Sequence, residues 1–431
     1  METSRPSLRG PRPAAATAPR NGRHAWLVWL LASVFVVWIF AIQTAYAVIS
    51  PEIQTSAHLT VAQIGLAGST YTWVFAVAQF FSGTLLDRFG SWPILTAAVA
   101  LVTVGAFLYA GTTGFATLAI AQVVLALGAS FGFVGAGYIG GSWFDAARYG
   151  LMFGLVQALA SLGSAVGQPL VLVALHALTW QQLIVGFAAF GVLLVVLFAA
   201  FVRNRPDGTP PHATSDDRVE HETITVSGAL ARCFRSRQVL ISSLIAGASF
   251  GTMLAIGTLW GPRMMESRGF STAFATVLTA VAWLGLAVGA PIVNVVSDRW
   301  RSRRGPAVGA LLLQGIAVAL VIALPSPGSG AAIVLMFAVG LFSGVQMLGF
   351  TIASEAVDRH LIGTAAAIVN GVCFVLGGVL LGFPGTLLPD APSLQDYKAA
   401  LWPMPALIAI AAIGALFLRT PRTDRQKETL A

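Results

Sequence analysis

Twelve apolar runs, each long enough to cross a bilayer, leave this chain few folds to choose from. They lie at 26–48, 61–86, 93–112, 114–142, 149–176, 181–202, 239–261, 272–297, 306–324, 331–353, 362–388 and 401–418. A helix needs about 20 apolar residues to span the hydrocarbon. Lipid offers the backbone no hydrogen-bond partners, so a spanning segment must satisfy its own. With 56% hydrophobic residues, 10% charged residues and a mean hydropathy of +0.80, an ordinary soluble fold is excluded. The pattern predicts an all-α membrane protein with twelve transmembrane helices in two six-helix bundles. These occupy 26–202 and 239–418, joined by a linker over 203–238.

Positive charge sets the expected orientation, because short cytoplasmic loops retain Lys and Arg. With the N-terminus in the cytoplasm, only Arg263, Arg268 and Lys398 of the 25 Lys and Arg residues fall on the far side. Both termini are therefore expected in the cytoplasm. Residues 1–25 read as a disordered tail and 419–431 as a second tail; the first lacks a signal-peptide pattern. The net charge of +8 marks cytoplasmic loops one by one, so nucleic acid is not an expected partner. Cys233 and Cys373 have no metal-ligand spacing and read as free thiols. The stretch from Thr223 to Phe234 has amphipathic character but reads best as part of a solvated connector.

The chain also repeats itself. Gly83-Thr84-Leu85-Leu86-Asp87-Arg88-Phe89-Gly90 forms a very short charged loop between two spans. Asn294-Val295-Val296-Ser297-Asp298-Arg299 returns 211 residues later, followed by Arg301, Arg303 and Arg304. Pro51 and Pro262 share that offset, while Gly150 and Gly363, Ser130 and Ser343, and Gln157 and Asn370 are paired at 213.

The first loop resembles the conserved loop between the second and third helices of the major facilitator superfamily, with Ser91 in place of a basic residue. The second copy is degenerate, with Asn294 at the first glycine position and Arg301 at the last. The resemblance implies the major facilitator fold, a monomer, and loops whose glycines and charges gate helix movement. The gating set is Gly83, Asp87, Arg88, Gly90, Asp145, Arg148, Asp298, Arg299, Asp358 and Arg359. Gly154 to Gln157, Gly167-Gln168-Pro169 and Gly340 to Gly344 further resemble bacterial relatives of the lysosomal dipeptide transporter and of phagosomal nutrient transporters. Val48 and Tyr138 stand where many of those carry basic residues.

Polar side chains gather in the first, second, fourth, fifth, seventh, eighth, tenth and eleventh spans. They thin out in the others, and the third span reads as lipid-facing. In a bilayer such groups should face other helices or a water-filled path. The expected cavity set is Gln43, Tyr46, Tyr71, Gln79, Tyr138, Gln157, Gln346 and Asn370, walled by Trp73, Trp260 and Trp283. No charged residue falls at mid-depth of any span, which disfavours an intramembrane carboxylate for proton coupling. Glu52, His176 and Glu266, near the outer mouth, are the candidates for coupling to an ion or proton.

No nucleophile, metal cluster or carboxylate pair lies within the membrane, so an enzyme, a metal and a cofactor are not expected. The reading is a secondary active or facilitative transporter in a bacterial inner membrane. Its solute would be a small organic molecule such as an amino acid, short peptide or monocarboxylate, moved by alternating access. A drug or metabolite exporter and a non-transporting membrane sensor are the alternatives.

Overall fold

The structure, a computed structural model, describes residues 22–145, 148–204, 225–324, 328–358, 361–389 and 392–419. Most of the expected tails (1–21 and 420–431), most of the linker and Arg359 lie outside the described residues, as do the side chains of Gln168 and Pro169. Everything described is helical or connecting turn. The first half comprises α1 (Arg23–Ser56), α2 (Val61–Phe89), α3 (Ser91–Ala110), α4 (Phe115–Ala129), α5 (Gly132–Trp143), α6 (Tyr149–Ala174) and α7 (Trp180–Phe201). The linker carries α8 (Val226–Arg235), and from its end follow α9 (Arg237–Ala255), a π-helical turn (Ile256–Trp260), α10 (Gly261–Glu266), α11 (Thr272–Arg299) and α12 (Arg304–Ala323). The chain closes with α13 (Ser329–Ser343), α14 (Val345–Glu355), α15 (Ile362–Gly382), α16 (Leu394–Leu401) and α17 (Pro403–Ala415).

Among the described residues, 11 helical segments are long and apolar enough to cross a membrane. The remaining expected span is α2, a 29-residue helix. Thr70, Tyr71, Thr72 and Gln79 dilute its apolar character. Local chemistry sets the helix starts: Thr60 and Gln63 form a reciprocal capping box on α2, and Thr179 and Gln182 do the same on α7. Two spans bend at related positions. The fourth bends between α4 and α5 at Ser130-Phe131, and the tenth between α13 and α14 at Gly344. These bends fall at the paired positions Ser130 and Ser343, so the duplication extends to the kinks.

His24 packs its ring 5.4 Å from that of Trp143, and the Arg419 N–H donates to Gln238 at the start of α9. The first and last helices thus meet the arginine-rich loops at one end of the molecule.

Two expectations change. The third span is not merely a lipid-facing helix: α3 packs against α4 and α7, with Thr103 and Tyr109 buried. The linker is not solvated throughout either, because Thr225 caps α8 and Ala229 and Cys233 are buried. That helix lies against α2 and α15, one from each half, with the Phe234 ring 6.2 Å from Phe80. Burial pushes the Cys233 thiol up to about 11, and the nearby Asp87 charge adds to the shift.

Arg303 ties the second loop together. Its guanidinium donates to Asp298 and to Glu355 Oε1 at 2.6 Å, and also to Ser297 Oγ at 2.9 Å. Burial pulls its pKa down, but the hydrogen bonds and charges of Glu355 and Asp298 outweigh this and raise it. Replacing Arg303 with glutamine should lower thermal stability by about 1–2 kcal/mol, since two partly exposed carboxylates lose a shared partner. Solute binding should not change. Thermal unfolding beside a binding titration checks both.

Candidate functional site

A cavity of about 240 Å³ lies between the halves. From the first half α1 contributes Gln43 and Tyr46, α2 contributes Tyr71, and α3 and α4 contribute Tyr109 and Gln122. Leu254, Thr258 and Trp283 close it from the second half. No lining residue is charged. The polar groups are held in fixed directions: the Tyr46 hydroxyl donates to Ile64 O at 2.6 Å, and Trp283 Nε1 donates to Gly257 O at 3.1 Å. The second of these bonds reaches the π-helical turn. Extra residues in such a turn redirect side chains, and π-turns are frequent at functional sites.

Gln43, Tyr46, Tyr71 and Trp283 of the expected set therefore line the cavity. Gln79, Gln157, Gln346 and Asn370 are buried elsewhere in the helix packing. Gln157 donates to Ser161. Gln79 Oε1, Gln346 Nε2 and Asn370 Nδ2 are buried without a hydrogen-bond partner. Tyr138 is half-buried, Trp73 is about half exposed beside Gly378 of α15, and Trp260 lines a separate outer pocket. Tyr109 and Gln122 are the additions. Gln122 was visible as a polar residue, whereas Tyr109 stands alone at the end of an otherwise apolar helix and gave little signal.

Below the cavity, toward the arginine-rich end, aromatic rings fill the space between the halves. Phe75, one turn past Tyr71, lies 4.2 Å from Phe374, which in turn contacts Phe250. A second cluster joins Phe133 and Phe153 of the first half to Phe350 of the second. Offset and edge-on pairs of this kind add about 0.5–1.5 kcal/mol each beyond their buried area.

Further along, the two repeats lock each other. The Asp87 carboxylate accepts from the backbone N–H of Gly363 at 3.1 Å and of Thr364 at 2.8 Å, and from the Thr364 hydroxyl at 2.9 Å. These are the first N–H groups of α15, which have no partner within their own helix. A carboxylate there satisfies them and complements the helix dipole. The related contact on the other side is neutral: Asn294 Nδ2 donates to Gly150 O at 3.2 Å, and Thr351 donates to Asn294 Oδ1 at 2.7 Å. Gly83 faces Gly363 and Asn294 faces Gly150, so each half's short loop seals against the opposite half at repeat-related residues.

Gly90 turns the chain at φ +84° beside Asn204, a conformation that favours glycine. Arg88 lies over the Phe89 ring, and Asp298 is held by Arg303. Arg299 and Arg148 are exposed, Asp145 is half-buried and Asp358 is exposed. Glu52, His176 and Glu266 are exposed as well.

Two repeat-related helical halves, a mainly apolar and uncharged cavity between them and a seal on one side fit the plan of a membrane transporter. Residues 26–382 match the family model described as Major Facilitator Superfamily, and the chain belongs to that family. It is 26% identical to a probable sulfoacetate transporter, SauU, of Cupriavidus necator, with 92% of this chain and 94% of the relative covered. It is 21% identical to a hexuronate transporter of Bacillus subtilis, covering 79% of this chain and 83% of that one. The fold superposes on the E. coli fucose:proton symporter FucP with a TM-score of 0.69 at 16% identity, over 91% of this chain and 99% of that structure. The chain is thus a multi-pass membrane transporter of small solutes, not an enzyme.

Proposed function

We propose that this transporter moves a small organic solute bearing a carboxylate, such as an amino acid, short peptide or monocarboxylate. It would do so across a bacterial inner membrane by alternating access. The arginine-rich end faces the cytoplasm in this reading, with both termini, because that orientation leaves three basic residues outside. The observation that carries the proposal is the uncharged cavity of about 240 Å³ between two halves sealed at that end only by reversible contacts. Its amides and phenols can bond a carboxylate or amide without titrating.

The orphaned polar atoms of Gln79, Gln346 and Asn370 support movement. A buried polar atom without a partner costs about 1–3 kcal/mol, a cost relieved when the halves part and water or solute enters. The named solutes of the two relatives are acids, which favours a carboxylate. The finer likeness to dipeptide and nutrient transporters favours amino acids and peptides within that class.

The test is uptake by the purified protein in liposomes, with pyruvate, L-alanine, L-alanyl-L-alanine, D-glucuronate and a lipophilic cation. Saturable uptake of one or more of the acids is expected. Flux confined to the lipophilic cation would replace this reading with an exporter, and binding without flux would replace it with a sensor. A pH gradient applied in the same assay shows whether proton coupling is present.

A further inference from the structure

No charged side chain lines the central cavity, and a cation elsewhere on the route would strengthen the capture of a carboxylate solute. The three basic residues at the end away from the arginine-rich loops have different fates. Arg268 donates to Val321 O at 2.7 Å and to Ile322 O at 3.1 Å, and Lys398 donates to Ala323 O at 2.8 Å. Both therefore cap the C-terminus of α12, where a cation satisfies free carbonyls and the dipole. Arg263 does not. Its guanidinium lies over the Trp260 ring at 5.8 Å, and both ion pairs among the described residues belong to Arg303.

Arg263 opens onto a second cavity, of about 470 Å³, which it lines with Trp260, Glu266, Leu388 and Tyr397. This cavity lies one helical turn outward of the central one. Trp260 follows Thr258 on the π-helical turn, and Gly385 follows Leu381 at the end of α15. Trp260 is fixed in the partition by its Nε1–H bond to Leu380 O at 3.0 Å. A guanidinium stacked on an indole keeps its edge donors free, in the planar fork that fits a carboxylate bidentately. Glu266, one turn from Arg263, can accept from an ammonium or hydroxyl on the same solute.

We infer that this outer cavity is a capture site, in which Arg263 binds the carboxylate of an incoming solute before it passes Trp260 into the central cavity. The inference takes its ligand class from the transport reading above, but the site can be tested by binding alone. Arg263 is exposed, so Arg263→Gln should fold normally, and an unchanged melting temperature would confirm it.

The experiment compares parent, Arg263→Gln and Arg263→Lys in detergent and in liposomes. Binding of pyruvate, L-alanine, L-alanyl-L-alanine and D-glucuronate is followed by tryptophan fluorescence, and uptake by the concentration dependence of flux. The expected result is a KM and Kd raised at least tenfold in Arg263→Gln, with the maximal rate within twofold of the parent. Arg263→Lys, which keeps the charge but not the fork, should fall between. Glu266→Gln should weaken L-alanine more than pyruvate. A Kd in Arg263→Gln within twofold of the parent would overturn the inference, as would failure of every acid to bind the parent. Binding that depends on Arg263 without any flux would keep the capture site and remove the transport reading.

Discussion

Gly83→Ala should abolish the seal at the arginine-rich end and reduce uptake at least tenfold. A Cβ built at Gly83 would sit 1.9 Å from Gly363 O, 2.4 Å from Gly363 C and 2.6 Å from Ala367 Cβ. Two of these are backbone atoms of α15 and cannot rotate away, so α2 and α15 must separate. That separation also breaks the three bonds from α15 to Asp87. Alanine is the better helix former by about 0.5–1 kcal/mol, so α2 itself should not weaken. Loss of function would then report the lost contact rather than a damaged helix.

Two readouts check the point. Cys233, on the buried face of α8 where that helix crosses α2 and α15, should react slowly with a maleimide in the parent and faster in Gly83→Ala. Gly186→Ala is the control, because nothing lies within 4 Å of a Cβ there and flux should be unchanged. Parent-like flux and labelling in Gly83→Ala would mean that α2 and α15 do not govern closure.

Much of this arrangement was legible in the residues. Apolar runs of spanning length predict the helices, and the offsets of 211 and 213 predict which positions are related. Gly83 and Gly150 were both marked in this way, and the structure brings each against the partner of the other. What sequence pattern could not supply is the face each helix turns inward. In water a helix declares its buried face by apolar residues, but in lipid the exterior is apolar too. For that reason α3 reads as lipid-facing although it buries Tyr109 at the cavity, while Trp73, in a polar stretch, stays about half exposed outside it. The same ambiguity hid the roles of the outer basic residues: Arg263, Arg268 and Lys398 are equivalent as charges, and only helix ends and ring contacts separate them.

Asp87→Asn should slow the transport cycle far more than it weakens solute binding, and more than Asn294→Ala does. The reason lies in the asymmetry of the two locks. Asp87 presents two negative oxygens to two backbone N–H groups and a hydroxyl at the start of α15. Asparagine keeps one oxygen, turns an NH2 toward the donors and removes the charge from the dipole. A hydrogen bond to a charged group contributes about 1.5–3 kcal/mol, and a charge at a helix N-terminus about 0.3–1 kcal/mol. A loss of about 2–3 kcal/mol lowers the ratio of sealed to open molecules by roughly 30- to 150-fold, since 1.4 kcal/mol is a factor of ten. Asn294 makes a neutral bond to Gly150 O, which contributes about 0.5–1.5 kcal/mol. Its removal should cost at most about tenfold. Neither residue lines the central cavity, so the binding constant should move by less than about threefold in a conformation that keeps the site. Flux in Asp87→Asn equal to the parent, or a larger defect in Asn294→Ala, would show that charge at the α15 terminus does not set how far the sealed state is populated.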